Sequence, residues 1–212
     1  MALDSLNSMP SHEFPKGWMN DLEKLNLKIF ELFIPEFYTP SENPYAMSVG
    51  ASSTREATII KQFHENKYSI PYERVKVAAC NSMPYPDDSP WLDIYDFNNF
   101  GFTGDATQEF TWAMPFMDSG SETMDYDLVY IRNPDLINLN EWGIIYYRAI
   151  QFVKESGVVV TLIRESDVHK YESVLNYLSG HDIKPVFSDE TNIGLENSSE
   201  DFHYLLGVFK SK

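Results

Sequence analysis

From Tyr45 onward the chain alternates between short apolar runs and stretches whose apolar residues recur every three or four positions. Runs of the first kind read as buried strands, and stretches of the second as amphipathic helices. "YAMSV" (45–49) predicts a strand, and a helix follows from about Thr54 to His64. "RVKVAAC" (74–80) is a second strand, and "SPWLDIYDF" (89–97) a short helix with Ser89 as cap and Pro90 at its first position. "FGFTG" (100–104) and "YDLVYI" (126–131) are the third and fourth strands, and "EWGIIYYRAIQFVKE" (141–155) is a helix. "GVVVTLI" (157–163) is apolar throughout, as a strand covered on both faces is. A helix, "HKYESVLNYLSG" (169–180), closes at Gly180. The strands "IKPVFS" (183–188) and "FHYLLGVFK" (202–210) then follow with no helix between them, as in a terminal antiparallel hairpin joined by the long loop "DETNIGLENSSED". Such alternation predicts a mostly parallel sheet with helices on both faces.

Ahead of Tyr45, the residues Trp18, Leu22, Leu25, Ile29, Leu32 and Phe33 are spaced as one face of a helix. "FIPEFYTPSENP", with three prolines, ends it and makes a natural joint. The chain thus divides into an N-terminal arm and helix over 1–44 and an α/β domain over 45–212. Residues 1–15, polar and proline-punctuated, read as the arm.

The 212 residues, 43% hydrophobic and 15% aromatic, suit one α/β domain plus a short extension. No apolar run approaches the roughly 20 residues that span a bilayer, and the N-terminus lacks a secretory pattern. The sole cysteine, Cys80, excludes an intramolecular disulfide and a multi-cysteine zinc site, and reads as a buried, inert thiol. A cytoplasmic protein with no membrane partner is the simplest expectation. Sixteen Lys and Arg against 32 Asp and Glu give a net charge of −16, which repels phosphate backbones and serves solubility equally well. Nucleic acid is therefore not the expected partner; a small molecule or a protein is. The five histidines (His12, His64, His169, His181, His203) show no metal-binding spacing, so no metal is expected. Neither a G-x-S-x-G elbow nor a phosphate loop is present.

What chemistry remains sits after the first strand. "AMSVGASSTREATII" (46–60) is a strand, a loop of small residues and a helix, the place where α/β proteins expose helix N–H groups to a ligand. Gly50 is its only glycine. Ser53 and Glu56 fit a capping box, and Ala57, Ile60 and Phe63 form the buried stripe of the helix. The same stretch also reads as a plain strand-to-helix turn.

Four local signatures, in order, resemble the class I S-adenosylmethionine-dependent methyltransferases over about Tyr45 to Lys210. They are the strand–loop–helix above, "FTGDATQEFTWAMPF", "DYDLVYIRNPD" and "FVKESGVVVTLI". The resemblance implies a three-layer α/β/α sandwich on a seven-stranded sheet of order 3-2-1-4-5-7-6, with strand 7 antiparallel, preceded here by the N-terminal helical extension. It implies S-adenosylmethionine as cofactor, bordered by Gly50, Ala51, Ser52, Asn81, Asp105, Ala106 and Arg132. Asp105 would take the adenine amino group. Cys80 or Asn81 stands where the family has an acid for the ribose hydroxyls, and Asn81 brings no charge to that bond. Asp105 also reads as a turn or cap residue. After the fourth strand, Asn133 would orient an amine or Asp135 act as general base, although Asp135 departs from the family's Asn/Asp-Pro-Pro pattern, and a simple turn fits as well. Asp127 reads as holding strand and loop geometry. Two functions stand open: methyl transfer to a small molecule or protein side chain, or a non-catalytic module of the same fold that binds or scaffolds.

Overall fold

The structure is a computed structural model that describes residues 21–50, 55–81, 99–117, 125–132, 139–192 and 203–211. Its strands are β1 (Tyr45–Val49), β2 (Lys76–Asn81), β3 (Asn99–Thr103), β4 (Tyr126–Arg132), β5 (Val153–Arg164), β6 (Phe187–Asn192) and β7 (His203–Phe209). Its helices are α1 (Asp21–Phe33), α2 (Arg55–Tyr68), α3 (Glu109–Met117), α4 (Leu139–Gln151) and α5 (Val168–Ser179). The strands pair in one sheet in the order β3-β2-β1-β4-β5-β7-β6. Only β7 runs antiparallel to its neighbours β5 and β6; the other pairings are parallel. This is the predicted topology.

Because successive strand residues face opposite sides, the sheet divides its apolar residues between two cores. Ala46, Ala79, Leu128, Tyr130, Val158 and Val160 pack with Leu25, Ile29 and Phe30 of α1 and Ile59, Ile60 and Phe63 of α2. Met47, Ala78, Val129, Ile131 and Val159 face Trp112 and Phe116 of α3, Tyr146 and Ile150 of α4, and Tyr171 and Val174 of α5. Ala57, Ile60 and Phe63 are buried as their spacing predicts. On α1 the buried face is centred on Leu25, Ile29 and Phe30, and Leu32, expected inside, is 59% exposed.

The boundaries depart from the sequence pattern where tertiary pairing overrides local preference. The helix expected over 141–155 ends at Gln151. Phe152 N makes a last helical bond to Arg148 O at 3.0 Å, while Phe152 O accepts from Tyr126 N at 2.7 Å, and Val153 opens β5 opposite Tyr126. The strand expected over 183–188 is displaced to Phe187–Asn192. Pro185 has no N–H for a ladder, and pairing starts at Phe187 opposite Val208, drawing the first residues of the expected loop into β6. Helix α2 continues past His64 to Tyr68 and stops at Ser69, whose φ is 56°. Helix α3, which carries Pro115 inside it, has no counterpart in the sequence reading. The helix expected over 89–97, the capping residue Ser53, and Trp18 lie outside the described residues.

Gly157 shows how closely β4 and β5 approach. A Cβ there would lie 2.5 Å from Asp127 O and 3.0 Å from Tyr126 O, both backbone atoms in a segment where the β4–β5 register shifts. Gly157→Ala is expected to destabilise the fold by roughly 1–3 kcal/mol, read as a lowered urea midpoint with an unchanged slope.

Candidate ligand site at the strand ends

In an open parallel sheet the C-terminal strand ends next to a reversal of strand order form a crevice. Here the reversal lies between β1 and β4. The residues that follow β1 and β3 are tied to the end of β2 by backbone bonds. Gly50 N donates to Cys80 O at 2.8 Å, and Gly104 N donates to Asn81 O at 3.0 Å. These bonds set Gly50, Asn81 and the Gly104–Asp105 pair side by side. Gly50 is exposed at φ 73°, a left-handed conformation that favours glycine, and among the described residues no atom beyond its chain neighbours lies within 4 Å of where its Cβ would be. Among the described residues, the backbone at Gly50 is thus left clear for a ligand's close approach. Asn81, half-buried, closes β2 opposite Thr103 of β3.

Asp105 is exposed and organises the turn into α3. Its Oδ1 accepts from Thr107 N at 2.9 Å and from Thr107 Oγ1 at 2.6 Å, and Oδ2 meets Gln108 Nε2 at 3.4 Å. The Thr107 bonds hold its carboxyl below the ordinary carboxylate range. It stands at neutral pH as an ionised acceptor whose Oδ2 is the less engaged oxygen. Thr111 Oγ1 donates to Asp105 O at 2.6 Å, and the Trp112 indole donates to Ala106 O at 2.8 Å, pinning the Asp105–Ala106 backbone onto the buried face of α3. Cys80 Sγ donates to Gly104 O at 3.4 Å, and burial pushes its thiol up to about 12, as an inert buried cysteine requires.

Of the residues expected to border a cofactor, the structure brings Gly50, Asn81, Asp105 and Ala106 to adjoining strand ends. The backbone of Arg132 ends β4 one residue past Ile131, the partner of Val49. Ala51, Ser52, Asn133 and Asp135 lie outside the described residues. Sequence reasoning missed Thr107, Gln108 and Thr111 as the residues that fix Asp105, although Asp followed two places later by Thr is a turn signal. Asp127 lies at the opposite end of the sheet, where it joins the segment before β1 to the start of β5. Among the described residues, no group of His, Cys, Asp and Glu could hold a metal, and no helix is long and apolar enough to cross a membrane.

No protein-family model matches the sequence, and no curated protein is similar to it in sequence. Solved structures are similar in fold. One is geranyl diphosphate C-methyltransferase from Streptomyces coelicolor A3(2), solved with Mg2+, geranyl diphosphate and S-adenosyl-L-homocysteine. It is 10% identical, with a TM-score of 0.56, over 91% of this chain and 81% of that one. The N-methyltransferase NodS from Bradyrhizobium japonicum WM9 is 12% identical, with a TM-score of 0.52, over 90% and 96%. A protein from Clostridium thermocellum, provisionally described as an rRNA methylase, is 12% identical, with a TM-score of 0.52, over 92% and 98%. The fold of this chain is that of the class I methyltransferases. At these identities the likeness reaches the fold alone, and it does not support the expected exclusion of nucleic acid, which rests on charge.

Proposed function

We propose that this chain binds S-adenosylmethionine across the ends of β1, β2 and β3 and transfers a methyl group to a small molecule or a protein side chain in the cytoplasm. The observation that carries the reading is the backbone at Gly50, clear among the described residues and set beside Asn81 and Asp105 by the backbone bonds between their strands. The residues fit the cofactor: Gly50 leaves room where a side chain would stand, and Asp105 is an exposed anion able to accept from an exocyclic amine. Asn81 would hold a ribose hydroxyl through its amide oxygen, a weaker bond than a carboxylate gives. When bound, S-adenosylmethionine supplies a methyl group on a positively charged sulfur. The acidic chain, at −16, favours that cation. Asn133 and Asp135 follow β4 directly in sequence; Asn133 orients an acceptor amine, or Asp135 takes the proton that the acceptor loses. Alignment of acceptor and sulfonium supplies much of the rate, so little further machinery is required.

A second reading, a non-catalytic module of this fold, draws on two observations. Asp105 is already engaged by Thr107, and the ribose partner is the neutral Asn81. Calorimetric titration with S-adenosylmethionine and S-adenosylhomocysteine decides between them. Saturable micromolar binding, weakened about tenfold or more by Asp105→Ala, is the expected result. No heat and no thermal stabilisation at millimolar ligand would leave the module reading standing and turn the search to protein partners.

A further inference from the structure

A cavity lies at the end of the sheet opposite the ligand crevice. Helix α4 finishes at Gln151, just before Val153 pairs with Tyr126 at the start of β4. Helix α5 likewise runs back from the end of β5, and β7, being antiparallel, finishes at Phe209 opposite Val159. Between the last turn of α4, the turn after α5 and the residues after β7 is a space of about 350 Å³, lined by Tyr147, Ile150, Gln151, His181, Ile183 and Ser211. None of these six is an acid, a lysine or an arginine.

The walls of this cavity are held in place. The His181 ring lies 4.7 Å from the Tyr147 ring and 5.0 Å from the Tyr177 ring, centroid to centroid, so one imidazole joins phenols from α4 and α5. Tyr177 in turn sits on Gly143 of α4, where a Cβ would come within 2.7 Å of its ring. His181 is presented on a closed turn: His181 N and Ile183 N donate to Leu178 O at 2.9 and 3.0 Å, and Asp182 N donates to Ser179 O at 3.1 Å. Asp182 holds φ at 58° there, a left-handed backbone that residues with a Cβ disfavour. Ile150 and Ile183, both buried, give the cavity its apolar side. Gln151 is exposed, and its Oε1 accepts from Arg148 Nη1 at 2.9 Å. The NH2 of that amide is therefore the half left to a ligand.

We propose that this cavity binds a neutral, planar heteroaromatic molecule of one or two fused rings that carries a hydrogen-bond acceptor, a ring nitrogen or an oxo group. An aromatic wall, an apolar side and a few polar groups are what small-molecule sites are made of, and the volume falls at the lower end of their range of roughly 300–1,000 Å³. The Tyr147 and His181 rings favour a flat aromatic partner over an aliphatic one of equal size. The lining holds no fixed charge to offset the desolvation of an ion, and a net charge of −16 further disfavours an anion. The Gln151 NH2 asks for an acceptor on the ring edge. The site is separate from the strand ends that face the cofactor, and it does not rest on the methyl-transfer reading.

The test uses the full chain near neutral pH with three probes. Quinoline is flat and carries an acceptor, indole is flat with a donor only, and cyclohexanone has an acceptor but no aromatic ring. Quinoline is expected to shift the His181 Hε1 signal saturably with a Kd below about 1 mM, and the other two to bind roughly tenfold more weakly or less. Gln151→Leu, at an exposed position, should bring quinoline down to the level of indole. Tyr147→Leu, which removes a ring from the wall, should weaken quinoline roughly tenfold in calorimetry. Should Tyr147→Leu fold poorly, as a lowered Tm would show, His181→Ser at an exposed turn carries the same measurement. No saturation by about 10 mM quinoline, equal binding of cyclohexanone, or an unchanged quinoline affinity in the folded ring variant overturns the proposal. A preference for quinoline over indole that survives Gln151→Leu overturns the acceptor requirement, and with it the class of ligand proposed.

Discussion

Asp127→Ala is expected to destabilise the protein by about 3–5 kcal/mol, enough to unfold much of a marginally stable chain. Asp127 is fully buried, and its carboxylate is held by three donors. Ser41 N gives to Oδ1 at 2.9 Å, Tyr45 N to Oδ2 at 2.9 Å, and Lys154 Nζ to Oδ2 at 2.8 Å. The alanine variant leaves two part-buried backbone N–H groups and a partly buried ammonium without their acceptor. The pair alone is not the source of the effect, because the attraction between buried charges is largely offset by their desolvation. Lys154→Met should therefore cost clearly less than Asp127→Ala, since the two amides still neutralise part of the carboxylate's demand. Chemical denaturation of the two variants checks this ordering. Equal losses would show that the ion pair dominates, and a loss below about 1 kcal/mol for Asp127→Ala would remove the three-donor account altogether.

Acidification gives the second large effect. His64 is buried, its Nδ1 lies 2.7 Å from Ile60 O, and its Nε2 lies 2.6 Å from Tyr38 OH. A carbonyl only accepts, so Nδ1 carries the proton; the neutral ring then accepts at Nε2 from the Tyr38 hydroxyl, which burial keeps protonated. Desolvation lowers the His64 value from 6.5 to about 4, against the raising effects of the Ile60 bond and the Asp127 charge. The unfolded chain therefore binds a proton that the folded chain refuses between these two values. Stability from this group is complete above the unfolded value and falls as pH drops toward the folded one, by on the order of 3 kcal/mol in all. Urea midpoints measured from pH 7 down to about pH 4.5 should show the decline, and His64→Gln, which keeps a donor and an acceptor but does not titrate there, should flatten it. An unchanged slope in that variant would assign the acid sensitivity to other groups.

The topology was legible because the apolar runs are short and regularly spaced, and because the strand facing both cores, "GVVVTLI", is mostly β-branched. Boundaries were not, and the reason is the same at each. The residues Val153 and Lys154 continue a good helical pattern, yet Tyr126 N and Asp127 lie opposite them and take them into β5. Those partners are distant in sequence, so no local window contains them. Helix α3 was hidden by Pro115, which sits near its end. At the ligand site, Gly50, Asn81 and Asp105 could be picked out singly, but their adjacency depends on the parallel pairing of β1 with β2 and β2 with β3.

The seat of α1 has a consequence for the order in which the chain is made. The last turn of helix α1 rests through Phe33 on Phe187 of β6, and through Phe30 on Tyr130 of β4 and Phe63 of α2. A ribosome delivers these surfaces far apart in time, and the strand order sets β6 at the edge, bound only to β7, which is made last. The helix synthesised before the sheet is thus among the last to find its complete resting place. Until then its apolar stripe of Leu25, Ile29 and Phe30 faces the solvent of the nascent chain, a natural target for a holdase and a liability for any truncation that stops before β7.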